Sequence, residues 1–427
     1  MKNLLTLIFL LQNMILVHAQ ETTALLCGQL ITAKDDVVHS NAVILVEGEK
    51  IIAVGNQDLI QPGYPIIDLS DHTVMPGLID AHVHPLIYGT EYQTNHLKGS
   101  SAFNALRGLK TVQEWLHAGW TTLRIAGDAD TQYAHFEIRK AIDSGMFPGP
   151  RIVGAGHYLS ITGGGGDINY LAPGQVVIPD GLIVDGKDEI RRAIRQEIKY
   201  GSDWIKLLVT GAFMSTGDNP KNVHFSDEEI STAVDEAHRR GVPVMMHAHA
   251  KEGIKKAILH GARSIEHGTF LDAETIDLLL EHDTYLVPTL TVGTYFREVD
   301  SGNVAMTKAE RSQKAFRENR LKMLGHAYKK GVKIGIGSDN VGFPASFMAN
   351  EFAEFVKFGM TPMHALQAGT KTNAALLMKE KELGTIEVGK FADIIATKNN
   401  PLDDITELQR VQFVMKGGVV IKHLDRK

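Results

Sequence analysis

The chain has 427 residues, 44% of them hydrophobic, with 44 basic and 50 acidic side chains and a formal net charge of −6. This length and apolar content suffice for a large packed core and a second, smaller domain. The acidic balance and the lack of a long basic run argue against a nucleic acid as partner.

The first residues predict an export signal. Lys2 precedes an apolar run over residues 4–17, and the small residue Ala19 stands where a signal peptidase would cleave. We therefore predict a signal peptide over residues 1–19, a mature chain that begins at Gln20, and a periplasmic or extracellular location.

Two kinds of membrane attachment are the alternatives. A membrane span requires about 20 apolar residues, whereas this run is shorter and contains Gln12 and Asn13. A lipid anchor on Cys27, the single cysteine, is disfavoured by the bulky Leu26 before it and by Gly28, which continues a strand-like segment. We predict no stable membrane span and a buried, structural Cys27 without a disulfide.

Both ends of the chain have the pattern of short strands. Residues 23–71 alternate apolar and polar positions, with a hairpin turn predicted at Glu47-Gly48-Glu49, and residues 384–396 and 411–421 have the same character. We therefore predict one small β-sandwich domain formed from residues 20–76 and 380–427.

The middle of the chain alternates strand-like runs with helical patterns, which is typical of βα units around a parallel sheet. One helix is predicted from a capping box of Ser226 and Glu229 to Gly241. Eight candidate strands cover residues 74–81, 121–125, 151–155, 204–210, 242–247, 264–267, 285–290 and 333–337. Eight strands close a barrel, so we predict an α/β fold with a (β/α)8 TIM-type barrel over residues 77–379. An open, doubly wound sheet is the alternative, but no glycine-rich phosphate motif follows the first strand.

Polar residues occur at five of these strands, mostly where a barrel places its active site. They are His82, His84, Lys206, His247, His267 and Asp339. His82 and His84 are two positions apart, so in a strand both imidazoles point to one side, as in a metal site. Several alternatives remain: His247 and His267 as core histidines, His249 in place of His247, and Asp339 as a helix cap.

Taken in order, the motifs resemble the amidohydrolase superfamily, in its imidazolonepropionase-like and Xaa-Pro dipeptidase (prolidase)-like branch. The similarity covers nearly the whole mature chain. The motifs are V-M-P-G-L-I-D-A-H-V-H, D-W-I-K, H-A-H, S-I-E-H-G-T, G-S-D and G-T-I-E-V-G-K-F-A-D-I-I.

The resemblance implies a site for two divalent metal ions, for which zinc is the expected identity. One ion would be held by His82, His84 and Asp339 and the other by His247 and His267, while Lys206, carboxylated by carbon dioxide, would bridge them. The implied reaction is attack of a metal-bridging hydroxide on an amide carbonyl, with Asp339 as general base and acid.

The implied substrate is a dipeptide or an N-acyl amino acid, because ring-opening relatives usually lack the bridging lysine. A cyclic amide hydrolase and a non-catalytic scaffold protein are the alternatives. The loop with His157, Tyr158 and Gly165 is a candidate substrate loop, although relatives often carry a histidine where Gly165 stands. Relatives commonly associate, so a homo-oligomer is compatible with the resemblance, but no sequence feature sets a number of subunits.

Overall fold

A computed structural model describes residues 21–298 and 314–424 of the chain. The predicted signal peptide therefore lies outside the described residues. None of the helices in these two ranges is long and apolar enough to cross a bilayer.

The strands of the described residues are β1 Thr22–Ile31, β2 Val38–Glu47, β3 Lys50–Gly55, β4 Ile66–Pro76, β5 Leu78–Val83, β6 Trp120–Ala126, β7 Arg151–Ala155, β8 Tyr158–Ser160, β9 Leu182–Ile183, β10 Ile205–Leu208, β11 Val244–Ala248, β12 Ser264–His267, β13 Tyr285–Val287, β14 Ile394–Thr397, β15 Phe413–Lys416 and β16 Val419–His423. The helices are α1 Tyr92–His96, α2 Ser101–His117, α3 Ala134–Asp143, α4 Lys187–Lys199, α5 Asp227–His238, α6 Lys251–Leu259, α7 Ala273–Glu281, α8 Leu290–Glu298, α9 Lys314–Lys330, α10 Asn350–Lys357, α11 Pro362–Gln367 and α12 Asn373–Leu376.

The two ends of the chain share one sheet. Its seven strands lie in the order β16-β15-β14-β4-β1-β2-β3. At the edge formed by β3, the sheet contacts the segment that precedes β14, where the Ile51 amide donates to the Lys390 carbonyl at 3.0 Å. Cys27 is buried in the core of this sheet, and burial raises the pKa of its thiol to about 12, as expected of a structural cysteine.

The middle of the chain forms the predicted barrel. Strands β5 to β7 pair in parallel, and so do β10 to β13. Three backbone hydrogen bonds connect these sets and the segment at 333–337 into a ring: Trp204 N to Gly154 O at 3.2 Å, Leu286 N to Lys333 O at 2.9 Å, and Ala81 N to Ile336 O at 3.0 Å. The carboxyl ends of the strands therefore meet at one mouth.

The first predicted strand, 74–81, was wrong as a single element because the chain changes sheet at Gly77. Strand β4 ends at Pro76 and pairs with β14 in the terminal sheet, whereas β5 begins at Leu78 in the barrel. A Cβ at Gly77 would lie 2.2 Å from the Thr121 hydroxyl oxygen, so this crossing requires glycine.

Two other predicted strands also differ. The segment at 333–337 is not a regular strand and joins the barrel through a bridge of Ile334 to Leu286. The predicted strand at 285–290 is shorter, because β13 ends at Val287 and α8 begins at Leu290, whose amide donates to the Glu351 carboxylate at 2.8 Å.

The predicted capping box is confirmed at the start of α5. The Ser226 side chain accepts from the Glu229 amide, and the Glu229 carboxylate accepts from the Ser226 amide. This helix ends at His238, and Gly241, with a φ of 70°, lies in the turn that leads into the next strand.

Candidate metal centre

Three of the predicted residues meet at one end of the barrel mouth. His82 and His84 come from the end of β5, and Asp339 follows the segment at 333–337. The His84 Nε2 atom lies 3.3 Å from Asp339 Oδ1, and the His82 Nε2 atom lies 3.6 Å from the same oxygen. The two Nε2 atoms are 3.3 Å apart, so three donor atoms converge on one point.

The other ring nitrogen of each of these histidines has its own acceptor. His82 Nδ1 donates to Glu266 Oε2 at 2.6 Å, and His84 Nδ1 donates to the Gly127 carbonyl at 2.5 Å. A proton on Nδ1 leaves the lone pair on Nε2, which is the form of a neutral imidazole that binds a metal ion. The donor set therefore fits a divalent cation.

Three more histidines form a second cluster next to the first. His247, His249 and His267 offer ring nitrogens within 4.8 Å of one another, and all three side chains are buried. His249 and His247 both satisfy this distance limit, so the geometry does not show which of the two would bind a metal ion. His247 Nε2 donates to the Gly211 carbonyl at 3.2 Å, which leaves Nδ1 as its other donor atom.

Lys206 and the histidine rings connect the two clusters. The ring centroids of His82 and His267 are 5.0 Å apart, and Lys206 lines the same cavity from β10 with 2% of its surface exposed. Burial lowers the pKa of the Lys206 ammonium to about 8, against the raising effect of Glu266 and Asp339. The neutral amine required for carbamate formation is therefore accessible near neutral pH.

Burial also keeps three histidines of this site neutral, namely His82, His247 and His267. It lowers the pKa of His82 to about 4 and that of His247 to about 3, and the nearby Lys206 charge acts in the same direction. For Asp339, burial alone would raise the pKa, but the hydrogen bond with His84 and the electrostatic effect of His82 hold it well below the usual value. Neutral imidazoles and an ionised carboxylate are what a metal site needs.

Sequence reasoning did not single out Glu266. This carboxylate is fully buried on β12, and it accepts from both His82 Nδ1 and Arg124 Nη2, the latter at 2.8 Å. Burial would raise the pKa of Glu266, but Arg124 and the His82 hydrogen bond lower it to about 2. A signal was available, because Glu266 is a charge within a four-residue buried strand, as Lys206 is.

His157, one of the candidate substrate-loop residues, does not line the cavity that contains the two histidine clusters. Its Nδ1 atom donates to Glu197 Oε1 and its Nε2 atom donates to the Asp130 carbonyl, at 2.8 Å and 2.7 Å. The structure therefore gives both ring nitrogens of His157 partners within the protein.

Tyr158 and Gly165 do line the cavity. Tyr158 lies in β8 and not in a loop, and its hydroxyl donates to the Asp180 carboxylate. A Cβ on Gly165 would lie 2.9 Å from Asp218 Oδ2 and 3.0 Å from the Ala212 Cβ, so a larger side chain would require these neighbours to shift.

The rest of the cavity wall is largely apolar. The lining side chains that carry no charge and no imidazole are mostly aliphatic or aromatic, and they include Ile87, Leu208, Phe213, Met214, Val292 and Val341. An apolar cavity with a few convergent polar groups at the mouth of a barrel is typical of an enzyme that binds a small molecule.

Barrel and site together define a metal-dependent hydrolase, and comparison with known proteins gives the family. A model of the amidohydrolase family matches residues 73–421. The chain belongs to this family, and it is an amidohydrolase that acts on carbon–nitrogen bonds.

Three known proteins to which the chain is similar differ in their named activities. The ochratoxinase of Aspergillus niger is 33% identical over 430 residues, which cover 94% of this chain and 87% of that one. A crystal structure of a Xaa-Pro dipeptidase with bound methionine in the active site superposes with a TM-score of 0.87 at 36% identity, over 94% of this chain and 100% of that one. The imidazolonepropionase of Pseudomonas fluorescens is 24% identical over 84% of this chain and 88% of its own.

Proposed function

We propose that this amidohydrolase cleaves the amide or peptide bond of a dipeptide or an N-acyl amino acid with two divalent metal ions, for which the ligand types favour zinc. The observation that carries the proposal is the meeting of two donor clusters around Lys206 in one cavity. Among matches that cover most of the chain, identity is higher to a dipeptidase and an ochratoxinase than to an imidazolonepropionase, which supports a linear over a cyclic amide.

The residues present fit the two ions. His82, His84 and Asp339 would hold one, and the second cluster would hold the other through His267 and either His247 or His249, with His247 favoured by the family resemblance. Lys206, carboxylated by carbon dioxide, would supply two oxygen atoms between them, and this converts a costly buried ammonium into an anion. When bound, the ions would lower the pKa of a water molecule and polarise the substrate carbonyl.

Asp339 carries the proton transfer in this proposal. Its carboxylate takes a proton from the attacking water while the water oxygen bonds to the carbonyl carbon. As the carbon–nitrogen bond breaks, Asp339 gives that proton to the leaving amine nitrogen, so the products are a carboxylate and an amine. The cavity supports this chemistry because its largely apolar wall limits access of bulk water to the reacting atoms.

The test is metal analysis combined with a substrate panel. We expect about two metal ions per chain and turnover of dipeptides or N-acyl amino acids, but not of a cyclic amide. Lys206→Ala should lose one or both ions and nearly all turnover, whereas Lys187→Ala, which changes a lysine on the outer helix α4, should lose neither. Full activity of Lys206→Ala would contradict the proposal. Metal binding without turnover of any substrate in the panel would instead favour a scaffold protein.

We also propose that the first nineteen residues direct export of the enzyme and are then removed by cleavage after Ala19. The support is the basic start, apolar run and small residue of the first nineteen positions. Expression of the full chain with its secretion route intact should give a product whose mass corresponds to a start at Gln20. An intact Met1 terminus in a product retained inside the cell would contradict export.

A further inference from the structure

A run of consecutive residues belongs to the cavity wall. Residues 211–219, which we call the wall segment, come shortly after β10, the strand that carries Lys206. Four neighbours in this segment line the cavity, namely Ala212, Phe213, Met214 and Ser215. The two largest of them, Phe213 and Met214, are apolar and only partly buried, so a molecule that enters the cavity would contact their side chains.

Asp218 holds the two ends of the wall segment together. Its Oδ2 atom accepts from the Ala212 amide at 2.7 Å, and its Oδ1 atom accepts from the Asn219 amide at 2.7 Å and from His224 Nε2 at 3.1 Å. The side chain of Asp218 is almost fully buried and does not itself line the cavity. Because one carboxylate accepts from both ends of the segment, the backbone that carries Phe213 is restrained.

The wall segment is also connected to two neighbouring loops. The Ser215 hydroxyl donates to the Gly165 carbonyl at 2.5 Å, so the Tyr92 hydroxyl, 2.9 Å from Ser215 Oγ, is the donor in that second contact. These partners come from the connections after β8 and β5. The ring of Phe213 meets the ring of His249 edge to face, with centroids 4.6 Å apart. The apolar side chains of the segment therefore have a defined position beside the second histidine cluster.

The charges of the cavity indicate which substrate group suits this position. Among the lining residues within the described part of the chain, Asp339 is the one carboxylate, and the first metal cluster accounts for it. A basic substrate side chain would meet no further carboxylate in this set, and the loss of its hydration would oppose binding. An aliphatic or aromatic side chain would instead exchange water for contacts with Phe213 and Met214, which favours binding.

We propose that Phe213 and Met214 form a subsite for an apolar side chain of the substrate, and that Asp218 is the positioning residue of this subsite. The inference rests on the proposed function and narrows its substrates to amides that carry an aliphatic or aromatic group beside the scissile bond. Asp218 touches no substrate in this proposal. It acts through the amide of Ala212, the residue that precedes Phe213.

The experiment compares substrates on the metal-loaded enzyme: N-acetylglycine, N-acetylphenylalanine, N-(phenylacetyl)glycine and Nα-acetyllysine. The second and third carry a phenyl group on the amine side and on the acyl side of the scissile bond. Burial of a phenyl side chain corresponds to a factor of roughly 10 to 150. We expect kcat/KM of the better phenyl substrate to exceed that of N-acetylglycine by this factor, which we call the phenyl preference. Nα-acetyllysine should show no such gain.

Substitutions in the wall segment should reduce the phenyl preference. In Phe213→Ala we expect a decrease of about 5- to 10-fold, chiefly through KM, and Phe213→Leu should retain most of the preference. Asp218→Asn should reduce it by about 3- to 10-fold, because an amide nitrogen cannot accept a hydrogen bond and at least one contact of the carboxylate is lost.

The matched control is Asp203→Asn. Asp203 lies just before β10, at the opposite end of that strand, and accepts from the Gly154 amide at 2.5 Å, but it does not line the cavity. This variant should keep the phenyl preference even if its unfolding midpoint falls. Metal content and the unfolding midpoint of each variant are recorded alongside.

Contrary outcomes separate the proposals. A wild-type phenyl preference near one, or an equal gain with Nα-acetyllysine, would overturn the apolar subsite whether or not the variants fold. An unchanged preference in Phe213→Ala would also overturn it. An unchanged preference in Asp218→Asn together with a lower unfolding midpoint would make Asp218 a structural residue only. Hydrolysis of none of the substrates by the metal-loaded wild type would overturn the proposed function itself.

Discussion

Glu266 Oε2 accepts a hydrogen bond from His82 Nδ1 at 2.6 Å, and both side chains are almost completely removed from solvent. The pair joins β12 to β5 across the barrel interior. A carboxylate in this position orients the imidazole and makes Nε2 a better donor to a metal ion.

The first prediction concerns this orientation. Glu266→Gln should weaken metal binding by about 10- to 100-fold and lower kcat/KM with it, because an amide holds the Nδ1 proton less strongly than a carboxylate does. Competition with a chromogenic chelator measures the affinity. Glu236→Gln, which changes a carboxylate on α5 that pairs with the partly exposed Arg195, is the control and should keep the affinity of the wild type. Unchanged metal affinity in Glu266→Gln would show that this hydrogen bond does not tune the site.

The second prediction concerns the other partner of Glu266. Arg124→Met should destabilise the fold by about 3 to 5 kcal/mol, because it leaves a buried carboxylate without its cation. Urea unfolding of the metal-free protein isolates this effect from metal binding. Arg195→Met, which breaks an ion pair whose arginine is half exposed, should leave the unfolding midpoint almost unchanged. Similar midpoints for the two variants would refute the assignment of Arg124 as a structural counter-ion.

The third prediction concerns proton transfer. Asp339→Asn should lower kcat by about 10²- to 10⁴-fold, since an amide cannot accept the proton of the attacking water. Asp283→Asn is a matched control, because Asp283 has the same left-handed φ of 53° but pairs with Lys333 at the surface. Steady-state kinetics at fixed metal occupancy distinguishes a loss of chemistry from a loss of metal. An Asp339→Asn enzyme with wild-type kcat would remove Asp339 from the mechanism.

The fourth prediction concerns acid stability. His135 is buried on α3, and burial lowers its pKa to about 3 from an ordinary value of 6.5. Between these values the unfolded chain binds a proton that the folded chain does not, so stability is full above pH 6.5 and falls as the pH drops toward 3.

Replacing His135 with phenylalanine should remove this contribution, and the slope of unfolding free energy against pH in that window should decrease by up to about 1.4 kcal/mol per pH unit. Denaturant unfolding at several pH values checks it, with His117→Gln at the end of α2 as the control. Parallel pH profiles of the wild type and His135→Phe would contradict the prediction.

The sequence alone determined which residue types stand at the strand ends. Because the carboxyl ends of parallel strands meet at one mouth, His82, His247, His267 and Asp339 could be expected to lie together before any coordinates were known. The capping box at Ser226 was equally accessible, since a cap depends on residues three positions apart.

Only the tertiary structure decided the partners of those residues. Glu266 and His82 are hydrogen-bonded although 184 positions of the chain separate them. Arg320 lines the cavity from α9, a helix in which the sequence predicted no site residue. The sequence predicts His157 as a substrate-loop residue, whereas in the structure its Nδ1 atom donates a hydrogen bond to Glu197. Local patterns record the conformation of neighbouring residues, whereas a hydrogen bond between distant segments depends on their separation in space, which is set by the packing of the whole barrel.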